Sequence, residues 1–195
     1  MKKNPVKLNG IRNITISGRI GTGKTTLANH LAETLGWSEL DGGKITRQFT
    51  KEKGFHIKDT EKRPDDFDLK LEERIKKLLE EEDNHVIQSH LAGFDAQGIK
   101  GIFKILVICR NKNGEDKTSV RIDRLMNRDN ISLERAKEEV LERERQNLEK
   151  FRRLYANNDL TWFYWDDKYY DLVVNTYMLS PKEALDFVLN KVGFN

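Results

Sequence analysis

The stretch GRIGTGKT, residues 18–25, has the spacing G-x-x-x-x-G-K-T of a loop that wraps a polyphosphate. Gly18, Gly21 and Gly23 let the backbone curl with its N–H groups pointing inward, and Thr22 lies among them. The residues that follow have helical apolar spacing, so the positive end of a helix points at the same place. Lys24 would neutralise the β- and γ-phosphates of ATP. The Thr25 hydroxyl would reach Mg²⁺, and Thr26 completes the ATP-binding set. A glycine-rich turn before an ordinary helix is the competing reading. The motif follows a strand-like run and opens a helix, which is the context a phosphate loop requires.

A second set of cations lies downstream. In SVRIDRLMNRD, Arg121, Arg124 and Arg128 recur at i, i+3 and i+7, one face of a helix, with Asp123 and Asp129 off that face. Like charges so placed repel by a few tenths of a kcal/mol, so a one-sided row points to a polyanion. LERERQNLEKF adds Arg143 and Arg145. For these, and for Arg152, a solvated face paired with glutamate at i−4, such as Glu139 with Arg143, competes with a phosphate clamp. TWFYWDDKYYD, residues 161–171, is dense in aromatics and is expected to pack a lid on the core or form a subunit contact, ahead of stacking on a base. His56 and His90 have no partner histidine at metal-ligand spacing, so no zinc site is expected.

ELDGGKITR, residues 39–47, resembles the segment L-D-S-G-x-I-Y-R of the nucleoside monophosphate kinases, the cytidylate kinases in particular. Asp41, Gly43, Ile45 and Arg47 match; Gly42 stands in place of Ser and Thr46 in place of Tyr. VIQSHLAG resembles that family's VIEGRLAG, and YDLVVNTYMLSPKEALD its Y-D-L-V-I-N-T strand, loop and last helix. The matches run from roughly residue 12 to residue 190 in the family's order. The resemblance implies transfer of the γ-phosphoryl group of ATP to a nucleoside monophosphate, CMP or dCMP, with Mg²⁺. Lys24, Arg124, Arg128 and Arg143 would act on the transferring group, Arg124 and Arg128 matching a lid arm of the form D-R-x-x-x-R. Arg47 and His90 would seat the acceptor phosphate, and Asp41 its sugar or base. A guanidinium at 47 also suits a phosphate on its own geometry. The family's Glu-Gly-Arg is Gln88-Ser89-His90 here. Gln88 can still hydrogen-bond a metal-bound water, as an outer partner of the metal, but without charge. His90 can donate to a phosphate but is largely neutral near pH 7. The departure is expected to slow or respecialise the enzyme. A kinase for another small acceptor, with Asp41 as its base, and a non-catalytic nucleotide-binding regulator are the alternatives.

These residues need a scaffold that brings them together. IRNITIS, WSEL, HVIQ, IFKILVIC and DLVVN read as strands alternating with helical stretches at 24–35, 65–81, 118–128, 133–155 and from Ser180 onward. That grain implies a three-layer α/β/α P-loop domain with a five-stranded parallel sheet. One domain over 1–195 is expected, with a core at about 11–48, 84–110 and 168–195, acceptor-binding helices at about 49–83 and a lid at about 111–160. A net charge of +3 does not suit a protein that binds nucleic acid through a broad basic surface. The single cysteine, Cys109, excludes an internal disulfide and reads as a core residue. No run is long enough to span a membrane, and MKKNPVKLNG lacks a signal-peptide stretch, so a cytoplasmic monomer or weak homodimer is expected.

Overall fold

The computed structural model describes residues 4–56 and 59–194. β1 (Asn13–Gly18) is buried along its whole length and pairs in parallel with β3 (His85–Gln88) on one side and β4 (Ile102–Ile108) on the other. β2 (Ser38–Asp41) and β5 (Leu172–Asn175) complete the edges, giving the order β2-β3-β1-β4-β5, all parallel. Asp41 and Ile16 both lie opposite Gln88, so the carboxyl ends of β1, β2 and β3 deliver their loops to one place.

α1 (Lys24–Leu35) turns Leu27, Leu31 and Leu35 onto one face of the sheet, where α8 (Pro181–Lys191) joins it through Ala184 and Val188. α1 stops at Gly36, whose φ of 66° is the left-handed cap. Ser180, Pro181 and Glu183 form the expected capping box at the start of α8. On the other face α3 (Asp65–Glu81) buries Leu71, Ile75 and Leu79 against Ile87, Ala92 and Ile102. The segment after β3 contains a short helix, α4 (Ala92–Asp95). The Ser89 hydroxyl accepts from the N–H groups of Leu91 and Ala92 and so fixes its start. α2 (Gly42–Glu52) precedes a 3₁₀ turn at Thr60–Lys62; residues 57 and 58 of this region lie outside the described residues.

α5 (Thr118–Asp129) and α6 (Leu133–Lys137) pack Ile122, Leu125 and Ala136 around Ile20 of the phosphate loop. The helix expected from 133 to 155 is helical throughout but not uniform: a π turn at Glu138–Arg143 separates α6 from α7 (Glu144–Tyr155). Trp162 and Tyr164 are buried with Leu91 and with Phe151 of α7, so the aromatic run packs α7 against the segment that follows β3. Cys109 is a buried free thiol. No helix among the described residues is long and apolar enough to cross a membrane.

Candidate active site

The phosphate loop is held by close approach as well as conformation. A Cβ at Gly18 would stand 2.3 Å from the Val107 carbonyl, and one at Gly21, where φ is 76°, 2.5 Å from the Arg121 carbonyl. Lys24 Nζ folds back to donate to Gly18 O at 2.6 Å and Arg19 O at 2.8 Å. Burial pulls its ammonium from 10.5 down to about 7; Glu144 opposes this, and Arg143, Arg121 and Arg128 reinforce it. A polyphosphate would supply the missing counter-charge and restore the cation. Thr25 Oγ1 donates to Gln88 Oε1 at 3.0 Å, which leaves its lone pairs free toward the loop. A hydroxyl oxygen so presented is a hard ligand and fits Mg²⁺.

Two cavities meet at the loop. The larger, about 390 Å³, is lined by residues Gly21 to Leu27, Arg124, Arg128, Thr176, Leu179 and Pro181. The other joins Lys24, Thr25 and Gln88 to Asp41, Arg47, His90, Arg128 and Arg143. Most of the residues singled out by sequence therefore converge.

The cations of the row expected on α5 are each tied to partners. Arg121 is fully buried and ties α5 to the loop: its guanidinium donates to Ile20 O at 2.8 Å and pairs with Glu144 at 2.8 Å and Asp116 at 3.0 Å. Although burial disfavours its charge, Glu144 and Asp116 outweigh that and hold its pKa above the usual value. Arg124 donates to Thr176 Oγ1 at 2.9 Å and Thr176 O at 2.7 Å, beside the larger cavity and outside the smaller one. It lines the larger cavity together with Lys24 and Thr25. Arg128 faces both cavities, but Asp129, expected off its face, grips it through paired bonds of 2.7 Å. The Glu139–Arg143 pair exists at 3.1 Å, yet it is buried, not solvated. Burial lowers Arg143 to about 10, so it keeps its charge, and its Nε has no partner. Arg145 is the solvated residue, pairing with Glu142 and Glu149. Arg152 instead donates to Trp162 O at 3.0 Å and Leu160 O at 2.6 Å.

Asp41 caps α2, its Oδ1 accepting from Lys44 N at 2.9 Å. Its Oδ2 is buried with no hydrogen bond, 3.8 Å from Arg47 Nη2. His90 Nδ1 lies 3.3 Å from Gly18 O and 3.2 Å from Tyr164 OH. Burial first, then Lys24 and Arg143, push its pKa well below 6.5. His90 is thus neutral at pH 7 and cannot replace the charge of the family's arginine. Ser89 and Gly42 touch: a Cβ at Gly42 would stand 3.0 Å from Ser89 Cβ. The family pattern has Ser at position 42 and Gly at position 89, so the two departures form one exchange.

Several site residues escaped the sequence reading. Beyond His90, a polar recess holds Arg63, Asp68, Glu72, Asn147 and Arg143. Arg63 Nε reaches Asp68 at 2.9 and 3.1 Å, Lys150 Nζ reaches Asp68 at 2.8 Å, and Asn147 Oδ1 accepts from Thr60 and Arg63. Asp68 and Glu72 share the face of α3 that carries Leu71 and Ile75, so acids inside an apolar stripe were the available signal. Glu144, which accepts from Arg19, Ile20 N and Arg121, and Glu39, which accepts from Gln88, gave no signal, because their partners come from distant segments.

The model of the cytidylate kinase-like family matches residues 13–177. The chain is 35% identical to the cytidylate kinase of Natronomonas pharaonis, over 86% of this chain and 82% of that one. It is 30% identical to the cytidylate kinase of Sulfolobus acidocaldarius, over 92% and 93% of the two chains. A shikimate kinase from Acinetobacter baumannii, solved with shikimate, shares the fold with a TM-score of 0.55 at 16% identity over 94% of each chain. The fold is that of the P-loop kinases, and the chain belongs to the cytidylate kinase-like family.

Proposed function

We propose that the protein transfers the γ-phosphoryl group of ATP to a nucleoside monophosphate, with CMP or dCMP as the acceptor. The observation that carries this reading is the cavity in which Lys24 and Thr25 face Arg47, Arg128 and Arg143. Cations from the loop, α2, α5 and the π turn converge there on the space two phosphate chains would share. An oxygen of the acceptor phosphate attacks the γ-phosphorus in line while the bond to the β–γ bridging oxygen breaks, giving ADP and the nucleoside diphosphate. The acceptor oxygen is already anionic, so no general base is needed. Asp41 therefore does not have to act as one, and its capping bond to Lys44 is compatible with seating the sugar or base. Mg²⁺, when bound, would neutralise charge on the β- and γ-oxygens, with Thr25 as its protein ligand and Gln88 holding Thr25. The larger cavity suits the ATP nucleoside, with Arg124 at its wall. Helices near 49–83 and the lid near 111–160 would move around this core, in a cytoplasmic monomer or weak homodimer.

A panel of NMPs and dNMPs with ATP and Mg²⁺, read as ADP formation, tests the proposal. CMP or dCMP should lead, and Lys24→Ala should cut turnover by about a hundredfold or more in a folded protein. ADP formed with cytidine but not CMP would replace the acceptor by a hydroxyl. Tight ATP binding with no turnover for any acceptor would make the protein a regulator.

A further inference from the structure

The loss of the family's carboxylate at position 88 is answered one strand away. Gln88, only 2% exposed, spans two neighbours: its Oε1 accepts from Thr25 Oγ1 at 3.0 Å, and its Nε2 donates to Glu39 Oε1 at 2.9 Å. Asn29 on α1, with its amide nitrogen turned to Glu39, donates to Oε1 at 2.7 Å and Oε2 at 2.9 Å. Glu39 is on β2, the edge strand, and these hydrogen-bonded partners are amides, not cations. Its negative charge is therefore not neutralised by them.

An amide has two orientations of nearly equal shape, and only one aims its oxygen at Thr25. The carboxylate at Glu39 decides between them, because it can only accept. That fixes the amide oxygen on the Thr25 proton and strengthens the bond through a charge-assisted partner. The Thr25 oxygen then keeps its lone pairs toward the loop and gains basicity.

We propose that Glu39 is a positioning residue of the metal–nucleotide site, acting through Gln88 on Thr25 and restoring at one remove the charge that position 88 lacks. The inference rests on the reading of Thr25 as the Mg²⁺ ligand. It also means that Gln88→Glu, on its own, sets two carboxylates against each other and should weaken the site.

The test is binding of ADP with Mg²⁺ and with EDTA, and of Mn²⁺ to the ADP complex by electron paramagnetic resonance, for wild type, Glu39→Gln, Gln88→Glu and the double exchange. Glu39→Gln keeps the shape and removes the charge. It should weaken Mn²⁺ binding and raise the Mg²⁺ needed for half-maximal rate about tenfold, with metal-free ADP affinity unchanged. Gln88→Glu should lose as much or more, and the double exchange should recover most of the loss. Equal Mn²⁺ affinity in Glu39→Gln and wild type overturns the role of Glu39. So does an equal loss of metal-free ADP binding, which would mark a merely structural residue. A wild type whose ADP affinity ignores Mg²⁺ overturns the metal reading itself.

Discussion

Single positions in this chain are understood only with the neighbour each one faces. Gly42 and Ser89 lie on different segments, and the space at one is filled by the other. Gly42→Ser should therefore push on Ser89 and the start of α4, lowering stability by about 1–3 kcal/mol, the usual cost of overpacking. Adding Ser89→Gly should recover part of that, offset by the lost cap on α4. Urea unfolding of the two singles and the double measures the coupling; additive effects would show that the positions do not interact. The same logic governs what could be read beforehand. Gly18, Lys24 and Thr25 were legible because their chemistry is local to eight consecutive residues. The burial of Arg121 is not legible, because its partners Glu144 and Ile20 come from elsewhere in the chain. Spacing on a helix tells which way a side chain points, not what waits there.

The elements themselves were largely legible. Five strands and the long helices fall close to where periodicity puts them, since each buries an apolar face in a single unbroken stretch. The π turn inside 133–155 was not, because it leaves no compositional mark. α7 matters most at this scale. Its first residue, Glu144, accepts from Arg19 (including one very short contact at Nη2), from Ile20 N at 3.1 Å and from Arg121 at 2.8 Å. Glu144→Gln removes the charge and leaves Arg121 buried with Asp116 alone. The expected cost is about 3 kcal/mol, the order seen when one partner of a buried pair is removed. A lower urea midpoint at unchanged slope is the signature, and an unchanged midpoint would show that Asp116 suffices.

For the molecule as a whole, a buried acid pair costs stability as pH rises. Glu72 of α3 and Asp95 of α4 face each other in the interior, close to Tyr155. Burial lifts Asp95 to about 6, and burial together with Asp95 and Asp68 lifts Glu72 well above 4.5. The folded protein thus holds protons that the unfolded chain has released above about pH 4. This contribution to stability is complete below that pH and is lost as pH rises through 6. Glu72→Gln keeps a donor for Asp95 and removes the titration of Glu72, leaving that of Asp95. Its melting temperature should gain on wild type from pH 5 to pH 8, by about 2–4 °C for each kcal/mol recovered. A constant difference across that range would show that the pair does not share a proton.

One helix joins the phosphate loop to α3. At its start α7 holds the phosphate loop through Glu144, and about two turns on it holds α3 through Lys150 and Arg153, which pair with Asp65 and Asp68. If the loop takes ATP and the α3 side the acceptor, as proposed above, a rod fastened to both makes them one thermodynamic system. Whatever factor ATP applies to the affinity for the acceptor, the acceptor must apply to the affinity for ATP. The order in which the two arrive then changes the route to the ternary complex but not its free energy.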